Sequence, residues 1–274
     1  MTSTGAYAEV IGDPISHSKS PPIHRFWVAK LGLDFDYRAA RVTRSDLPAF
    51  LAERRADPAW RGCNVTMPLK LDALMLADEA SDRAVAAGAA NLLVPKDGQL
   101  LAGNTDVGAV LQLLGPRLQK DGAAEGVTLL GNGGAARAAL VALRMLGLTD
   151  VCIQARDISA AYSLALEFGL EVQPRTFDRP IESTGLINAT PLGMTGGAPL
   201  AIDIGRMPAN GWVLDMVTDP VETPLLVAAR ARGLATIDGL SMLVEQASAS
   251  FMLLFGHDAP RRHDEELMAM LREP

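Results

Sequence analysis

The sequence predicts an α/β protein of two domains, and three observations predict it. Short apolar runs ending at glycine or polar residues alternate with helix-like stretches from end to end, the pattern of a mainly parallel sheet covered by helices. At 274 residues the chain exceeds the size that one hydrophobic core usually serves. A glycine-rich segment, "VTLLGNGGAAR" at 127–137, opens a second α/β series in mid-chain.

The elements follow in order. "YAEVIG" (7–12) reads as a strand, and "PPIHRFWVAKLGL" as a helix opened by prolines and ended near Gly32. "FDYRAARV" is a second strand, and Ser45-Asp46 opens a second helix. "GCNVT" (62–66) is a third strand. It runs into "NVTMPLK", where Val65 and Met67 read as core-facing strand residues and Pro68 closes the strand and can open a helix. "LKLDALMLADEA" (69–80) is that helix, and "ANLLVPKDGQLLAG" is two short strands around Lys96-Asp97-Gly98. "NTDVGAVLQLL" leads to a polar loop over 116–126. Beyond the glycine segment, "DVCIQARD", "GLINATPLG", "GWVLDMV" and "GLATIDG" are further strands. Residues 240–274 are largely helical and rich enough in Leu, Met and Phe to pack back onto the first domain. The crossings fall near 105 and 239, giving 1–105 with 240–274 as one domain and 106–239 as the other.

Composition narrows the function. With 49% hydrophobic and 21% charged residues the chain is an ordinary globular one. A net charge of −7 argues against nucleic acid or an anionic membrane as partner, so an anionic substrate needs a local pocket. Cys63 and Cys152 read as buried core thiols of a reducing compartment, and neither has metal-ligand spacing with the four histidines, so no metal is expected. No apolar run approaches about 18 residues. The start "MTSTGAYAEV" shows no basic stretch followed by an apolar one, and a cytoplasmic protein is expected.

The glycine segment carries the phosphate signal. Gly131, Asn132, Gly133, Gly134 and Ala135 join an apolar strand to a strong helix, in the spacing G-x-G-G-A-A with Ala136 at the last small position. Glycines let the backbone approach a pyrophosphate, and the helix N-terminus offers free N–H groups. A merely tight turn is the plain alternative; strand before and helix after favour a dinucleotide. The next strand ends at Arg156 and Asp157, which point in opposite directions. Arg156 suits adenine or a 2′-phosphate, whereas Asp157 suits a free 2′-hydroxyl.

Lys70 falls near a helix N-terminus, where the dipole disfavours a cation. As an isolated residue it would be a solvated side chain. Asp106, before a helical run, would likewise be an N-cap. Yet Asn104, Thr105 and Asp106 cluster at a strand end, where open α/β sheets bind ligands. If the two strand ends face one another, Lys70 and Asp106 form a plausible proton shuttle for alcohol–ketone exchange.

"PISHSKSPPIH", "NVTMPLK", "GAANLL", "GNTDVGA", "GNGGAAR", "INATPLGM" and "DGLSMLVEQA" occur in this order over nearly the whole chain. Together they resemble the shikimate dehydrogenase family, including its quinate-using relatives. The resemblance implies a substrate domain built from both chain ends and a Rossmann-like dinucleotide-binding domain between them. It implies Lys70 and Asp106 as the catalytic pair, and Ser18 and Ser20 as holders of the substrate carboxylate. Thr66, Asn91 and Gln246 match positions that bond the ring hydroxyls, with Asn64 and Asn104 bracing the backbone. Asn188 and Thr190 match the turn beside the nicotinamide, and Gly239 the glycine over which that ring approaches; Met216 also falls at a cofactor position. Thr218 stands where a tyrosine usually reaches the substrate, Leu92 replaces a usual threonine, and Ser241 a usual glycine. Of the two arginines usual for NADP, Arg156 remains, and Ala160 occupies the second place. The implied activity is reversible NADP-dependent oxidation of shikimate to 3-dehydroshikimate, in aromatic amino acid and chorismate biosynthesis, by a monomer or homodimer. An NAD-using quinate/shikimate enzyme is the alternative. A dinucleotide-binding sensor with a degenerate site is a third reading, which an intact Lys70–Asp106 pair opposes.

Overall fold

Short, mostly apolar runs of up to seven residues form the strands, and polar or glycine residues at their ends turn the chain toward the next element. The computed structural model describes residues 5–121, 126–171 and 173–273. Its contacts divide the chain into one unit of Met1–Gly108 with Val244–Pro274 and another of Ala109–Leu243. The chain passes from one to the other a few residues beyond the expected crossings, inside two helices.

The first unit holds a six-stranded sheet. β1 (Ala6–Gly12) lies between β2 (Phe35–Arg41) and β3 (Trp60–Val65), parallel to both. β5 (Leu92–Lys96) runs antiparallel to β3 and pairs with β6 (Gln99–Gly103) through a tight turn at Asp97-Gly98, both with positive φ. Three of the sheet's five strand pairs are parallel, and the antiparallel ones belong to the hairpin expected at Lys96-Asp97-Gly98, because a two-residue hairpin can join only antiparallel strands. α1 (Ser20–Leu31) ends at Gly32 in the left-handed conformation. α2 (Leu47–Arg55) buries Leu47 and Leu51 against a core containing Trp60, Cys63 and Leu93.

Three local expectations are corrected. Met67 lies beyond β3 and is 39% exposed, and Pro68 sits in a turn closed by Leu69 N–H on the Thr66 carbonyl at 3.0 Å. α3 (Lys70–Leu76) stops well short of residue 80. Asp78 accepts the Leu100 N–H at 2.6 Å, which draws Glu79–Ala80 into the sheet as β4, followed by α4 (Asp82–Ala87) capped by Ser81. The expected loop at 116–126 is helical through residue 121, as α5 (Asp106–Asp121), with Pro116 inside it. Residues 122–125 of that loop lie outside the described residues.

The second unit's sheet is wholly parallel, in the order β11-β10-β9-β7-β8. Its strands are β7 (Val127–Leu130), β8 (Val151–Gln154), β9 (Gly185–Asn188), β10 (Trp212–Asp215) and β11 (Ala235–Ile237). Arg175 makes an isolated parallel bridge to Gln154 on the outer edge of β8. The order reverses between β7 and β9, the switch point at which such sheets bind ligands. Cys63 is buried as expected, but Cys152 is only partly so, because it lies on β8 near the sheet edge. Among the described residues no helix is long and apolar enough to cross a membrane, and no cluster of metal-ligating side chains occurs.

His24 gives the first unit a pH dependence. Its ring is fully buried, stacked on Tyr37 at 4.0 Å between centroids, and neither nitrogen has a hydrogen-bond partner among the described residues. Burial pushes its pKa down to about 3. The unfolded chain protonates near pH 6.5 while the folded one stays neutral, so acid favours unfolding. Stability is expected to fall by up to about 1.4 kcal/mol per pH unit from near pH 6.5 down toward pH 3. His24→Phe keeps a stacking ring and should flatten the urea midpoint against pH over that window. Equal slopes in variant and wild type would remove His24 as the source.

Candidate active site

Lys70 is the first residue of α3 and Asp106 the first residue of α5. Lys70 Nζ donates to Asp106 Oδ2 at 2.6 Å, with the two side chains 16% and 6% exposed. Asp106 is thus not the cap of its helix. That task falls to Asn104, whose Oδ1 accepts the Val107 N–H at 3.3 Å and whose Nδ2 braces the Ala89 carbonyl. The lysine is not a solvated surface side chain either. It occupies an unfavourable helix end because a buried carboxylate waits there.

Around Asp106 the buried polar groups satisfy one another. Asn91 Nδ2 donates to Asp106 Oδ1 at 2.9 Å and to Thr105 Oγ1 at 2.8 Å, while Asn91 Oδ1 accepts the Thr105 N–H at 2.7 Å. Gln246, on α8 (Gly239–Phe255), directs Oε1 toward both Asn91 Nδ2 and Thr105 Oγ1 at 3.4 Å. It is buried, not the helix-surface residue its position would otherwise suggest. Asn64 bonds Tyr37 and Ser250 as well as the Asn91 carbonyl. Thr66 is half-buried at the end of β3.

Ser18 and Ser20 flank the start of α1. Ser20 N–H donates to Ser18 Oγ at 3.3 Å, and Pro21 and Pro22 follow without any N–H. The helix end therefore has few backbone donors for an anion, which leaves the hydroxyls. Lys19, between them, is tied elsewhere by donating to the Leu271 carbonyl at 2.7 Å. His17 is exposed.

In the second unit, Gly131 has φ +103°, and a Cβ there would stand 2.9 Å from Thr190 Cγ2. The turns after β7 and β9 thus touch at the switch point. Gly133, the residue before α6 (Gly134–Met145), has an ordinary φ and open space where a Cβ would point. No protein contact demands glycine there, and that space at a twelve-residue helix N-terminus fits a pyrophosphate. Asn132 is half-buried, Gly134 and Ala135 form the first turn, and Ala136 is fully buried.

The segment that follows β8 separates the two ribose candidates. Asp157 Oδ1 caps α7 (Ile158–Glu167) by accepting the Ala160 N–H at 2.9 Å. Arg156 is exposed and makes no salt bridge among the described residues. Asn188 Oδ1 accepts from Thr190 N–H and Oγ1, and its Nδ2 donates to Asp215 Oδ1 at 2.9 Å. Thr223 and the Val217 N–H also donate to Asp215, whose pKa burial raises. Met216 and Thr218 are half-buried just past β10. At Gly239 any Cβ would collide with the Met216–Val217 backbone, so the protein's own packing requires that glycine.

The chain matches known proteins over nearly its whole length. Residues 10–93 match the family model of the Shikimate dehydrogenase substrate binding domain. A Shikimate dehydrogenase (NADP(+)) of Sphingopyxis alaskensis is 45% identical over 97% of this chain and 96% of its own. The chain belongs to the shikimate dehydrogenase family. A solved shikimate 5-dehydrogenase of Thermus thermophilus, in complex with NADP(H) and shikimate, is 34% identical with a TM-score of 0.85, covering 97% of this chain and 99% of that one. A quinate dehydrogenase of Corynebacterium glutamicum, in complex with NAD, is 30% identical at the same TM-score and the same coverage of both chains. Beside the shikimate dehydrogenase motifs, sequence reasoning passed over Tyr37, Ser250, Asp215 and Thr223. Ser250 carries one faint signal, a small polar residue four places after Gln246 on an apolar helix. Asp215 carries another, a charge ending an apolar strand.

Proposed function

We propose that the protein catalyses the reversible NADP-dependent oxidation of shikimate to 3-dehydroshikimate, on the route to chorismate and the aromatic amino acids. The observation that carries this reading is the Lys70–Asp106 pair, a partly buried ammonium 2.6 Å from a buried carboxylate within a polar cluster. NADP bound at the glycine turn would accept the hydride. Lys70 donates the proton to the carbonyl oxygen in the reducing direction, and the pair takes it back from the hydroxyl in oxidation. Ser18 and Ser20 hold the carboxylate, Thr66, Asn91 and Gln246 hold the ring hydroxyls, and Thr218 completes the substrate contacts. Gly131, Asn132, Gly133, Gly134 and Ala135 receive the pyrophosphate, while Asn188, Thr190, Met216 and Gly239 shape the nicotinamide end. The test is reduction of cofactor with shikimate and quinate, each against NAD and NADP. No turnover of shikimate with either cofactor would sink the reading.

A second reading, quinate oxidation with NAD, draws on Thr218, which is shorter than the family's usual tyrosine and leaves room for an added substituent. The net charge of −7 supports a small-molecule partner over nucleic acid, and a cytoplasmic monomer or homodimer is the assembly proposed.

The cofactor preference has its own expected result. With one Asp157 oxygen spent on the α7 cap, Arg156 is the stronger ribose reader. Arg156→Ala should lower kcat/KM with NADP by roughly 10- to 100-fold, the value of a charge-assisted bond to phosphate, and leave NAD nearly unchanged. Asp157→Asn removes the charge while keeping a capping oxygen, and should widen the preference for NADP. An unaltered NADP/NAD ratio in Arg156→Ala would show that the guanidinium does not read the phosphate.

A further inference from the structure

Ser250 and Tyr37 touch neither Lys70 nor Asp106, yet a continuous buried line of hydrogen bonds joins them to the pair. The line can be read donor by donor. Tyr37 O–H donates to Asn64 Oδ1 at 2.7 Å, which fixes the Asn64 amide with its nitrogen toward Ser250 Oγ at 2.8 Å. A serine has one hydroxyl proton, and Ser250 donates it to the Gln246 carbonyl at 2.9 Å. Its oxygen can then only accept, so in the 3.2 Å contact with Thr105 Oγ1 the threonine is the donor, with Gln246 Oε1 at 3.4 Å a second, longer acceptor for the same proton. With its own proton so placed, Thr105 Oγ1 offers a lone pair to Asn91 Nδ2 at 2.8 Å. The other hydrogen of that amide nitrogen goes to Asp106 Oδ1 at 2.9 Å.

We propose that Ser250, backed by Tyr37 through Asn64, is a positioning residue for the reaction. It sets the direction of donation through Thr105 and Asn91 so that Asp106 Oδ1 receives an N–H while Oδ2 faces Lys70. Without the Ser250 hydroxyl, the Thr105 proton loses its nearest acceptor and keeps only the longer contact to Gln246 Oε1 at 3.4 Å, which loosens the placement of the lone pair offered to the Asn91 amide. Tyr37 and Ser250 are fully buried, and Asn64, Thr105 and Asn91 nearly so, so no water competes for these groups at low cost. The inference rests on the reading of Lys70 and Asp106 as the proton-handling pair.

The test is steady-state kinetics and thermal melting of Ser250→Ala, Ser250→Thr, Tyr37→Phe and the double variant Tyr37→Phe/Ser250→Ala. Ser250→Ala should lower kcat by about 3- to 10-fold, the equivalent of one neutral hydrogen bond, with a smaller change in the KM for shikimate. Ser250→Thr keeps the hydroxyl but adds a methyl in a fully buried position. It should melt lower than Ser250→Ala while turning over faster, an inversion that a merely structural serine would not give. The double variant should be no slower than Ser250→Ala, because both changes act through one line. If Ser250→Ala fails to fold, Tyr37→Phe carries the test, with a reduced kcat as the expected result in a variant that melts lower than wild type, because Asn64 Oδ1 loses its donor, but still folds at the assay temperature. Wild-type turnover of shikimate together with unaltered kcat in Ser250→Ala, or in Tyr37→Phe where that stands alone, overturns this inference alone. A wild type that leaves shikimate untouched overturns the functional reading and this inference with it.

Discussion

Lys70→Ala should reduce kcat by roughly 10²–10⁴-fold, the range for a lost acid/base group, with a smaller change in the KM for shikimate. The alanine variant confounds two losses. It removes the proton carrier, and it leaves the nearly buried Asp106 carboxylate with Asn91 in place of a cation, which costs about 3–5 kcal/mol where a buried pair is broken. Lys70→Arg separates them. A guanidinium keeps the charge and can pair with Asp106, but it does not give up a proton near neutral pH. Lys70→Arg is therefore expected to retain most of the stability, read as the urea midpoint, and to remain about as slow as Lys70→Ala. Turnover close to wild type in Lys70→Arg would remove the lysine from proton transfer and leave it an electrostatic partner of Asp106.

What the sequence made legible follows from the range of the forces involved. The strands announce themselves by local apolar runs, and all the runs read as strands contain one. The parallel second sheet and the glycine turn at 131–134 were legible because strand, turn and helix are contiguous. Short elements set by distant partners were not. β4 exists because Asp78 and Glu79 meet Leu100 and Leu101, and no local pattern marks it. Helix α5 runs through Pro116 against the local signal of a proline and polar residues, following helix formers on both sides. In the site, Lys70 and Asp106 stood out because each sits at the end of a strand-like run with a local anomaly, a cation or a cluster of polar groups. Ser250 bonds residues 145 and 186 positions away, and no local anomaly announces such a partner. The Asp157 cap is the instructive middle case. Asp followed by a helix is a local signal for a cap, yet the same position ends a strand of the dinucleotide-binding series, where a ribose reader also belongs.

Replacing Ser18 and Ser20 together by Ala should raise the KM for shikimate far more than it lowers kcat. Hydrogen bonds to a charged group contribute about 1.5–3 kcal/mol, so each hydroxyl is expected to be worth roughly tenfold or more. The local structure favours hydroxyls for this task. Pro21 and Pro22 strip the first turn of α1 of its N–H donors, and the Ser20 N–H points at Ser18 Oγ. The cation between the two serines, Lys19, is held on the Leu271 carbonyl. Neutral donors then bind an anion without the salt sensitivity of an exposed ion pair, so the KM of the wild type should vary little with ionic strength. The serines also stand at the start of a helix, and their loss could act by loosening it. A shikimate methyl ester, with its carboxylate charge blocked, tells the two apart. If the hydroxyls bind the anion, the double variant loses much less on the ester than on shikimate. Equal losses on both compounds would mean that Ser18 and Ser20 serve the helix end and that the carboxylate is held elsewhere.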